Sequence, residues 1–418
     1  MTGQTMAEKI LASRADSASV SPGDHVTVQP DLVLAHDLSA PRGKKRMAEL
    51  GFESVAIPER VVIVFDHYVP SSSARMSTLM REVEAWIESQ GIEHFVPAGE
   101  GISHNVLTER GYSVPGTVLV GSDSHTTTHG AFGTFATGIG HTDLGYVMGT
   151  GELWLRVPET QKLHVEGTIP AGCAAKDLAL AIMGELTARG AIYDALEYHG
   201  PVIRELAMHE RSTISNLAVE LGAMAGMIPP DATTEAYLED RARINGEAVH
   251  PDPNAAYSTE HRIDADELEP LVAEPSRVDN VGTVRENEGT AVDQVFVGTC
   301  NNARYEDIRE FADLIDGEEF APGTDVIVVP GSKRALQAMN RDGISNDIMA
   351  AGGMIGTPGC GPCFGAHGGI LGEGETCVGT MNRNFPGRMG PGEIYISSPK
   401  TAASAALYGE LTDPREVI

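Results

Sequence analysis

Three cysteines have the surroundings and the spacing of a metal or redox site. Cys360 and Cys363 form a Cys-x-x-Cys motif within Gly-Cys-Gly-Pro-Cys-Phe-Gly, where glycine and proline allow two sulfurs to converge on one ligand. Cys300 lies in a turn before a helical segment, whose N-terminal dipole favours a thiolate. Three such thiols without a clear fourth partner fit an iron–sulfur cubane in which one iron has no protein ligand. That iron would be a Lewis acid open to substrate.

The cysteine pattern alone leaves zinc binding and dithiol redox chemistry open. A zinc site needs a second pair of ligands, and a thioredoxin-like pair opens a helix after a strand. Cys173 lies in an alanine-rich stretch and Cys377 in Thr-Cys-Val, so we interpret both as packed thiols. Five cysteines are an odd and sparse set for 418 residues, which argues against a disulfide framework.

Two short motifs pair a carboxylate with an imidazole. They are Asp66-His67 and Asp123-Ser124-His125. A carboxylate next to a histidine can select one tautomer and adjust the imidazole for proton transfer. A single histidine among 14 is more often structural than catalytic. Two such pairs, each placed directly after an apolar run, predict acid–base chemistry.

A third motif, Asn382-Arg383-Asn-Phe-Pro-Gly-Arg388, places two guanidinium groups five residues apart in a turn-rich segment. Arginine is the side chain that binds carboxylates with two parallel hydrogen bonds. The formal net charge of −29 repels nucleic acids and anionic membranes, so an anionic substrate must be met by a local arginine cluster. We therefore predict that this segment binds an anion.

The elements that must position these residues follow the pattern of α/β units. Polar motifs stand where predicted strands end, and because ligands gather at the carboxyl ends of strands in open α/β sheets, we expect them to face one crevice. The segment from Pro251 to Gly289 has little apolar periodicity and is interpreted as an exposed linker at a domain boundary. The clearest predicted strands are 61–65, 118–120, 295–297, 326–329 and 394–396, and the clearest helices are 73–88, 176–189, 305–314 and 399–408.

Composition limits the class of protein further. The length and the 41% hydrophobic content predict two or three domains. The sequence shows neither a signal peptide nor a long apolar run, so we expect a cytoplasmic location. Arginine outnumbers lysine 23 to 7 beside the acidic excess, which suits a salt-rich cytoplasm. Activity in dilute buffer would contradict that last hypothesis.

Together the motifs resemble the aconitase superfamily, and within it the large subunits of 3-isopropylmalate dehydratase and archaeal-type homoaconitase. The similarity runs from about His25 to the C-terminus, and its cysteine and Asn-Arg-Asn-Phe motifs are the most specific parts. The resemblance implies that Cys300, Cys360 and Cys363 ligate a [4Fe–4S] cluster. Its implied catalytic residues are Asp66, His67, His104, Asp123, Ser124, His125 and Glu197, the last near the open iron, and its implied substrate contacts are His36, Asn382, Arg383 and Arg388.

The resemblance also implies a fold and a partner. It predicts a three-domain α/β/α architecture around a central iron–sulfur cleft, with domains at 1–160, 161–275 and 285–418. The chain stops at Ile418, before the swivelling fourth domain that single-chain aconitases carry, so a separate small subunit is expected to supply that domain. One departure is Gly-Thr-Cys-Asn-Asn-Ala around Cys300, where the family usually has Gly-Ser-Cys-Thr-Asn-Ser. That change puts the hydrogen bonding around the cluster in doubt.

The implied activity is a hydro-lyase that moves a hydroxyl group on a small di- or tricarboxylic acid. We favour 3-isopropylmalate, a step of leucine biosynthesis, and homoaconitate, 2,3-dimethylmalate, citramalate and citrate stay open as alternatives. A rival of another class is an iron sensor that binds RNA after cluster loss, and the net charge of −29 opposes it. A zinc or dithiol protein built on the same cysteines is a third hypothesis.

Overall fold

The computed structural model describes residues 3–417, which contain 18 β-strands and 13 α-helices. The strands are β1 (His25–Val28), β2 (Leu32–His36), β3 (Val61–Val64), β4 (His94–Val96), β5 (Val118–Gly121), β6 (Phe135–Gly138), β7 (Leu153–Arg156), β8 (Thr160–Glu166), β9 (Ala195–His199), β10 (Ala225–Met227), β11 (Thr259–Asp264), β12 (Leu271–Ala273), β13 (Val281–Thr283), β14 (Gln294–Val297), β15 (Asp325–Val328), β16 (Met354–Ile355), β17 (Thr376–Gly379) and β18 (Glu393–Ser397).

The helices lie mostly between the strands, as expected of α/β units. They are α1 (Met6–Arg14), α2 (Ala40–Glu49), α3 (Ala74–Ser89), α4 (Ser103–Glu109), α5 (His141–Thr150), α6 (Ala175–Leu186), α7 (Pro201–Glu205), α8 (Met208–Leu217), α9 (Ala232–Leu238), α10 (Tyr305–Leu314), α11 (Lys333–Arg341), α12 (Ile344–Ala350) and α13 (Pro399–Tyr408). Among the described residues, no helix combines the length and the apolar character needed to cross a membrane.

The chain divides into two compact units. Unit 1 comprises residues 1–97, 106–165 and 189–263, and unit 2 comprises residues 98–105, 166–188 and 264–418. Each unit is built on a largely parallel sheet that carries polar or thiol side chains on the loops at its strand ends.

Unit 1 contains a five-stranded sheet in the order β4-β3-β2-β5-β6, and all four neighbouring pairs are parallel. Val33 and Val61 belong to the core formed with α1, α3 and α5, whereas Leu34 and Val62 belong to a separate core with Val106. This alternation buries both faces, which is why the strands are continuous apolar runs. Unit 1 also contains the sheet β10-β9-β8-β11 and the antiparallel pair β1 and β7.

Unit 2 contains a seven-stranded sheet in the order β13-β12-β18-β17-β14-β15-β16. Its five strands from β18 to β16 are parallel, and β12 and β13 extend it with antiparallel pairing. Val295 and Val297 pack into a core with α10 and α13, while Phe296 faces a second core that contains Cys363 and Cys377. The carboxyl ends of the parallel strands therefore emerge at one edge of the sheet.

The predicted strands and helices are confirmed to within a few residues. The largest shift is at α6, which ends at Leu186 rather than at the predicted Arg189, because Thr187 adopts a positive φ of 62°. The prediction of an exposed linker from Pro251 to Gly289 was wrong in part, since β11, β12 and β13 lie in it and β12 is inside the large sheet. Strand β11 is mostly polar and exposed, and β12 and β13 have three residues each, so none of them gives the apolar run that marks the predicted strands. The three-domain division at 1–160, 161–275 and 285–418 stays a prediction.

Candidate active site

In unit 1 the polar motifs follow three neighbouring strands. Asp37 follows β2, Asp66-His67 follow β3, and Asp123 follows β5. From β2 the chain adds β3 and β4 on one side of the sheet and then β5 and β6 on the other side. The direction in which strands are added therefore reverses at β2. Such a reversal opens a crevice at the carboxyl ends of the two strands, where α/β proteins bind ligands. The sequence prediction that these motifs stand at strand ends is confirmed.

His67 is held by two carboxylates. Its Nδ1 lies 2.7 Å from Asp66 Oδ1 and 3.5 Å from an oxygen of Asp37. Asp66 is fully buried and His67 is 7% exposed. A carboxylate on Nδ1 fixes the proton on that nitrogen and leaves Nε2 to exchange protons with another group. The arrangement fits a general acid or base.

Asp37 is the side chain that organises this corner, and the sequence reasoning did not include it. Its carboxylate accepts hydrogen bonds from the backbone N–H of His67, at 3.1 and 3.2 Å, and of Tyr68 at 2.7 Å. Burial by itself raises the pKa of Asp37, but hydrogen bonds with His36 and His67 outweigh it and hold the pKa far below its usual range. The carboxylate is therefore ionised and fixes the backbone that carries His67.

His36 lies beside His67 and faces β5. The two imidazole rings are stacked with centroids 4.2 Å apart, and His36 Nε2 is 3.0 Å from the carbonyl oxygen of Ser122 and 3.8 Å from Asp123 Oδ2. Ligand atoms of His36, Asp37, Asp66 and His67 all lie within 4.8 Å of one another, which is close enough for a metal ion. Because Asp37 already accepts backbone hydrogen bonds, we interpret the group as an acid–base network.

His125 belongs to a second network, which includes another residue that the sequence reasoning missed. Its Nε2 is 2.9 Å from Glu220 Oε1, and its backbone N–H donates to Asp123 at the start of a 3-10 helix, Ser124–Phe132. Glu220 is 95 positions away in sequence, in an apolar segment without a local signal. Helix α8 supports the loop, since Asn216 donates to Thr128, whose hydroxyl donates to the carbonyl of His125. Ser124 lies in this loop, half-buried.

Glu197 lies elsewhere in unit 1, on β9. It is fully buried and accepts hydrogen bonds from the N–H of Met6 at 2.7 Å and from the hydroxyl of Tyr257 at 2.9 Å, and it is 3.2 Å from His199. The hydrogen bond from Met6 to this carboxylate anchors helix α1 to the sheet that contains β9. Its predicted place near the open iron stays a prediction.

In unit 2 the cysteine motifs also follow parallel strands. Cys300 follows β14, Cys360 and Cys363 follow β16, and Asn382 follows β17. Strands β14 and β17 are direct neighbours, and β15 lies between β14 and β16. The three loops therefore leave the same edge of one sheet. That the three cysteines bind one cluster stays a prediction.

The loop of Cys300 is held in an unusual conformation. Thr299 has a φ of 76°, a left-handed conformation that is strained for a β-branched residue. Its hydroxyl donates to the carbonyl of Thr380 at 3.2 Å, and Gly298 and Thr380 exchange two hydrogen bonds of 3.0 Å. Because Thr380 follows β17, these bonds fasten the Cys300 loop to the loop of Asn382.

The sulfur atoms of two predicted ligands accept hydrogen bonds. Asn382 Nδ2 is 3.4 Å from Cys300 Sγ, and a guanidinium nitrogen of Arg388 is 3.5 Å from Cys363 Sγ. Such donors stabilise the negative charge on cluster-bound thiolates and tune the cluster. The other two cysteines differ, because burial raises the pKa of both Cys173 and Cys377 to about 12. The residues present therefore fit an iron–sulfur cluster bound by Cys300, Cys360 and Cys363.

Two more predicted residues have definite places in unit 2. His104 is 1% exposed in a short segment whose residue Ile102 donates to the carbonyl of Gly331, in the loop after β15, and packs with Cys300. The sequence reasoning assigned His104 to the first domain, whereas residues 98–105 are compact with unit 2. Arg383 is half-buried next to Asn382, and the Arg388 guanidinium lies 5.7 Å from the ring centre of Phe385.

Comparison with known proteins gives full-length matches. The model of the aconitase family (aconitate hydratase) matches residues 8–409. Among curated proteins, the chain is 48% identical to 3-isopropylmalate dehydratase large subunit 1 of Methanopyrus kandleri, with 99% of each chain covered. It is 46% identical to the probable methanogen homoaconitase large subunit of Methanosarcina mazei, over 93% of this chain and 99% of that one.

A solved structure supports the fold at greater distance. Aconitase X of Thermococcus kodakaraensis in its holo-form matches with a TM-score of 0.52 and 10% sequence identity, over 85% of this chain and 84% of that one. At this identity the likeness concerns the fold alone. The family match and the close relatives, together with the cysteine geometry, lead to one conclusion: the chain belongs to the aconitase family of hydro-lyases, which carry an iron–sulfur cluster.

Proposed function

We propose that this chain is the large subunit of 3-isopropylmalate dehydratase, a hydro-lyase that dehydrates a 2-alkylmalate and rehydrates it at the neighbouring carbon. The observation that carries the proposal is the placement of Cys300, Cys360 and Cys363 on loops at one edge of a parallel sheet, with side-chain donors at two sulfurs. Three thiolate ligands match a [4Fe–4S] cluster with one iron open to substrate. The substrate is inferred from the names of relatives that are 40 to 48% identical.

In this proposal the bound cluster supplies a Lewis acid that withdraws charge from the departing hydroxyl group. His67, oriented by Asp66, and His125, oriented by Glu220, hold and transfer the proton that accompanies the hydroxyl. The arginines of the Asn382–Arg388 segment bind substrate carboxylates. Asn382 also donates a hydrogen bond to the sulfur of Cys300, and Arg388 donates one to the sulfur of Cys363.

The proposal includes a separate small subunit, which supplies the swivelling domain and the base that removes the proton next to a carboxylate. It is supported by the relatives, which are named large subunits. Those of Methanopyrus kandleri and Elusimicrobium minutum match this chain along 99% of their own length. Homoaconitase is the second candidate, because the relative from Methanosarcina mazei named for that activity is 46% identical.

The test is anaerobic co-purification with the small subunit encoded nearest the gene. The complex is then assayed with 3-isopropylmalate, homocitrate, citrate, citramalate and 2,3-dimethylmalate and their alkenes. We expect the highest kcat/KM for 3-isopropylmalate and little turnover by the isolated chain. A preference for the homocitrate series would favour homoaconitase, whereas full activity without the partner, or inertness toward every acid, would reject the proposal.

A further inference from the structure

A lysine is fully buried beside the cysteine loops, and none of the chemistry above uses it. Lys176 lies in the first turn of α6 and has no exposed surface. A buried lysine is rare, because removing an ammonium group from water is costly unless protein groups replace the water. The protein must therefore gain something from placing this cation here.

The ammonium group of Lys176 bridges two loops of unit 2. Its Nζ donates to Asn301 Oδ1 at 2.6 Å, to the carbonyl of Met381 at 2.8 Å and, more weakly, to the carbonyl of Thr380 at 3.4 Å. Asn301 directly follows Cys300 in the chain, and Thr380 and Met381 directly precede Asn382. Lys176 therefore links the loop of Cys300 to the loop of Asn382. The side-chain amide of Asn382 in turn donates to the sulfur of Cys300.

The three acceptors match the charged form of the side chain. An ammonium group has exactly as many N–H donors as the acceptors found here, whereas a neutral amine would turn a lone pair toward one of them. All three acceptors are themselves neutral, so they do not compensate the charge. Burial lowers the pKa of Lys176 to about 7, and the negative charges of Cys300 and Asp307 act in the opposite direction.

The buried arginine of unit 1 shows what a purely structural cation looks like. Arg211 is also fully buried, but two of its nitrogens lie 2.7 and 2.8 Å from the carboxylate of Asp231. That pair neutralises itself and needs no further anion. Lys176 instead donates to three neutral acceptors, and the anionic groups that act on its charge from a greater distance are Cys300, Asp307, Asp177 and Cys363.

We propose that Lys176 is a positioning residue of the iron–sulfur site, which locks the Cys300 loop to the Asn382 loop and places a positive charge beside the cluster thiolates. The inference rests on the proposed ligands Cys300, Cys360 and Cys363. In this role Lys176 contacts the two loops and not the substrate. Its loss should therefore act on the cluster first and on turnover as a consequence.

The test compares Lys176→Met, which keeps the length of the side chain and removes its charge and donors, with the wild-type chain and with Arg211→Met. All are purified anaerobically with the small subunit. Iron and acid-labile sulfide, the rate of iron release to a chelator and the reduction potential of the cluster are measured. We expect Lys176→Met to release iron about 10- to 100-fold faster, the usual effect of losing a group that supports the metal ligands, and to have a more negative reduction potential. Arg211→Met should lose thermal stability and keep the wild-type values for the cluster.

The outcomes separate this inference from the proposed function. A wild-type chain without iron and sulfide would reject the ligand set itself. A wild-type chain with its cluster, together with a Lys176→Met variant whose release rate and potential equal those of wild type, would reject only the role of Lys176. If Lys176→Met does not fold, Lys176→Gln and Asn301→Ala receive the same measurements. Faster release in both supports the bridge, and wild-type release in both overturns it.

Discussion

Units 1 and 2 both carry their chemical side chains on loops at the carboxyl ends of parallel strands, but different contacts hold those side chains. In unit 1 each imidazole that we propose to be catalytic is in contact with a carboxylate, with His67 2.7 Å from Asp66 and His125 2.9 Å from Glu220. In unit 2 the sulfurs of Cys300 and Cys363 accept long hydrogen bonds of 3.4 and 3.5 Å. The contacts of the first site are between protein groups, and the second is the site at which we propose that the cofactor binds.

Because these contacts differ, we expect substitutions in the two units to have different effects on turnover and on iron content. Hydrogen bonds between buried carboxylates and imidazoles hold the unit 1 residues in place without a cofactor. We therefore expect this network to keep its structure when the cluster is lost. A set of thiolates repels itself unless a metal neutralises it, so its order is coupled to cluster binding. Changes in unit 1 should therefore affect turnover without affecting iron, whereas changes in unit 2 should affect both.

The largest effect is expected from Cys300→Ser. A serine oxygen is a poor ligand for this cluster, so iron and sulfide should fall to background, and activity with the small subunit should fall by about 10³-fold or more as several kcal/mol of Lewis-acid stabilisation are lost. The control is Cys173→Ala, which removes a thiol whose pKa burial raises to about 12. Retention of cluster and activity by Cys300→Ser would show that the ligand assignment is wrong.

The next effect is expected from His67→Gln. The amide cannot exchange a proton at the substrate, so kcat should fall by about 10²- to 10⁴-fold, the usual contribution of general acid–base catalysis. Iron and sulfide content should equal those of wild type, as measured on the same preparation. His94→Gln is the control, since His94 pairs with Tyr112 outside the network. Loss of the cluster in His67→Gln would erase the proposed distinction between the units.

A smaller effect is expected from Glu220→Gln. The amide keeps the shape of the carboxylate but cannot stabilise a protonated His125, so kcat should fall by about 10²-fold, the low end for an acid–base group. Glu197→Gln tests the assignment further, because Glu197 was the carboxylate predicted from sequence and it contacts Met6, Tyr257 and His199. A larger loss of kcat in Glu197→Gln than in Glu220→Gln would return the catalytic role to Glu197.

The smallest effect is on stability and concerns Asp37. Its pKa is lowered in the folded protein, so its contribution to stability is present above the ordinary carboxyl pKa of about 3.9 and is lost as the pH falls toward the folded value. Asp37→Asn should lower the free energy of unfolding by about 1–3 kcal/mol at pH 7. Urea unfolding at pH 7, 5 and 3.5 should show this difference shrinking at the lowest pH.

The control for that series is Asp342→Asn. Arg341 and Tyr305 lower the pKa of Asp342 to about 2, but the carboxylate is at the surface, where solvent screens the interaction. Its replacement should leave the unfolding midpoint nearly unchanged at every pH. A loss in Asp37→Asn that persists undiminished at pH 3.5 would mean that the charge of Asp37 does not stabilise the fold.

The sequence predicted the parts of the molecule that depend on local pattern. Strands such as Val61–Val64 are continuous apolar runs followed by polar motifs, so both the strand and the site at its end were visible. Cys360 and Cys363 stand in a glycine-rich turn and Cys300 in the turn after β14, so these candidate ligands were also visible in the sequence. The aconitase-like fold and the hydro-lyase class were confirmed by the family match.

The parts that the sequence did not predict depend on contacts between distant residues. Glu220 reaches His125 across 95 positions, and Lys176 is hidden in an ordinary helical pattern although it contacts Asn301 across 125 positions. Asp37 gave a weak signal, because His36-Asp37 is itself a histidine next to a carboxylate at a strand end. The docking of residues 98–105 in unit 2 follows from hydrogen bonds with the loop after β15, which no local pattern predicts.

The metal content of the anaerobically purified complex is the most direct test of whether Cys300, Cys360 and Cys363 bind an iron–sulfur cluster. Iron, zinc and acid-labile sulfide are measured on the wild-type chain with its small subunit, and again after Cys360→Ser. For the wild-type complex we predict roughly four irons and as many sulfides per large subunit, as in a cubane cluster, and no zinc. The Cys360→Ser variant should lose both iron and sulfide. Zinc without sulfide, or iron content unchanged by Cys360→Ser, would contradict this prediction.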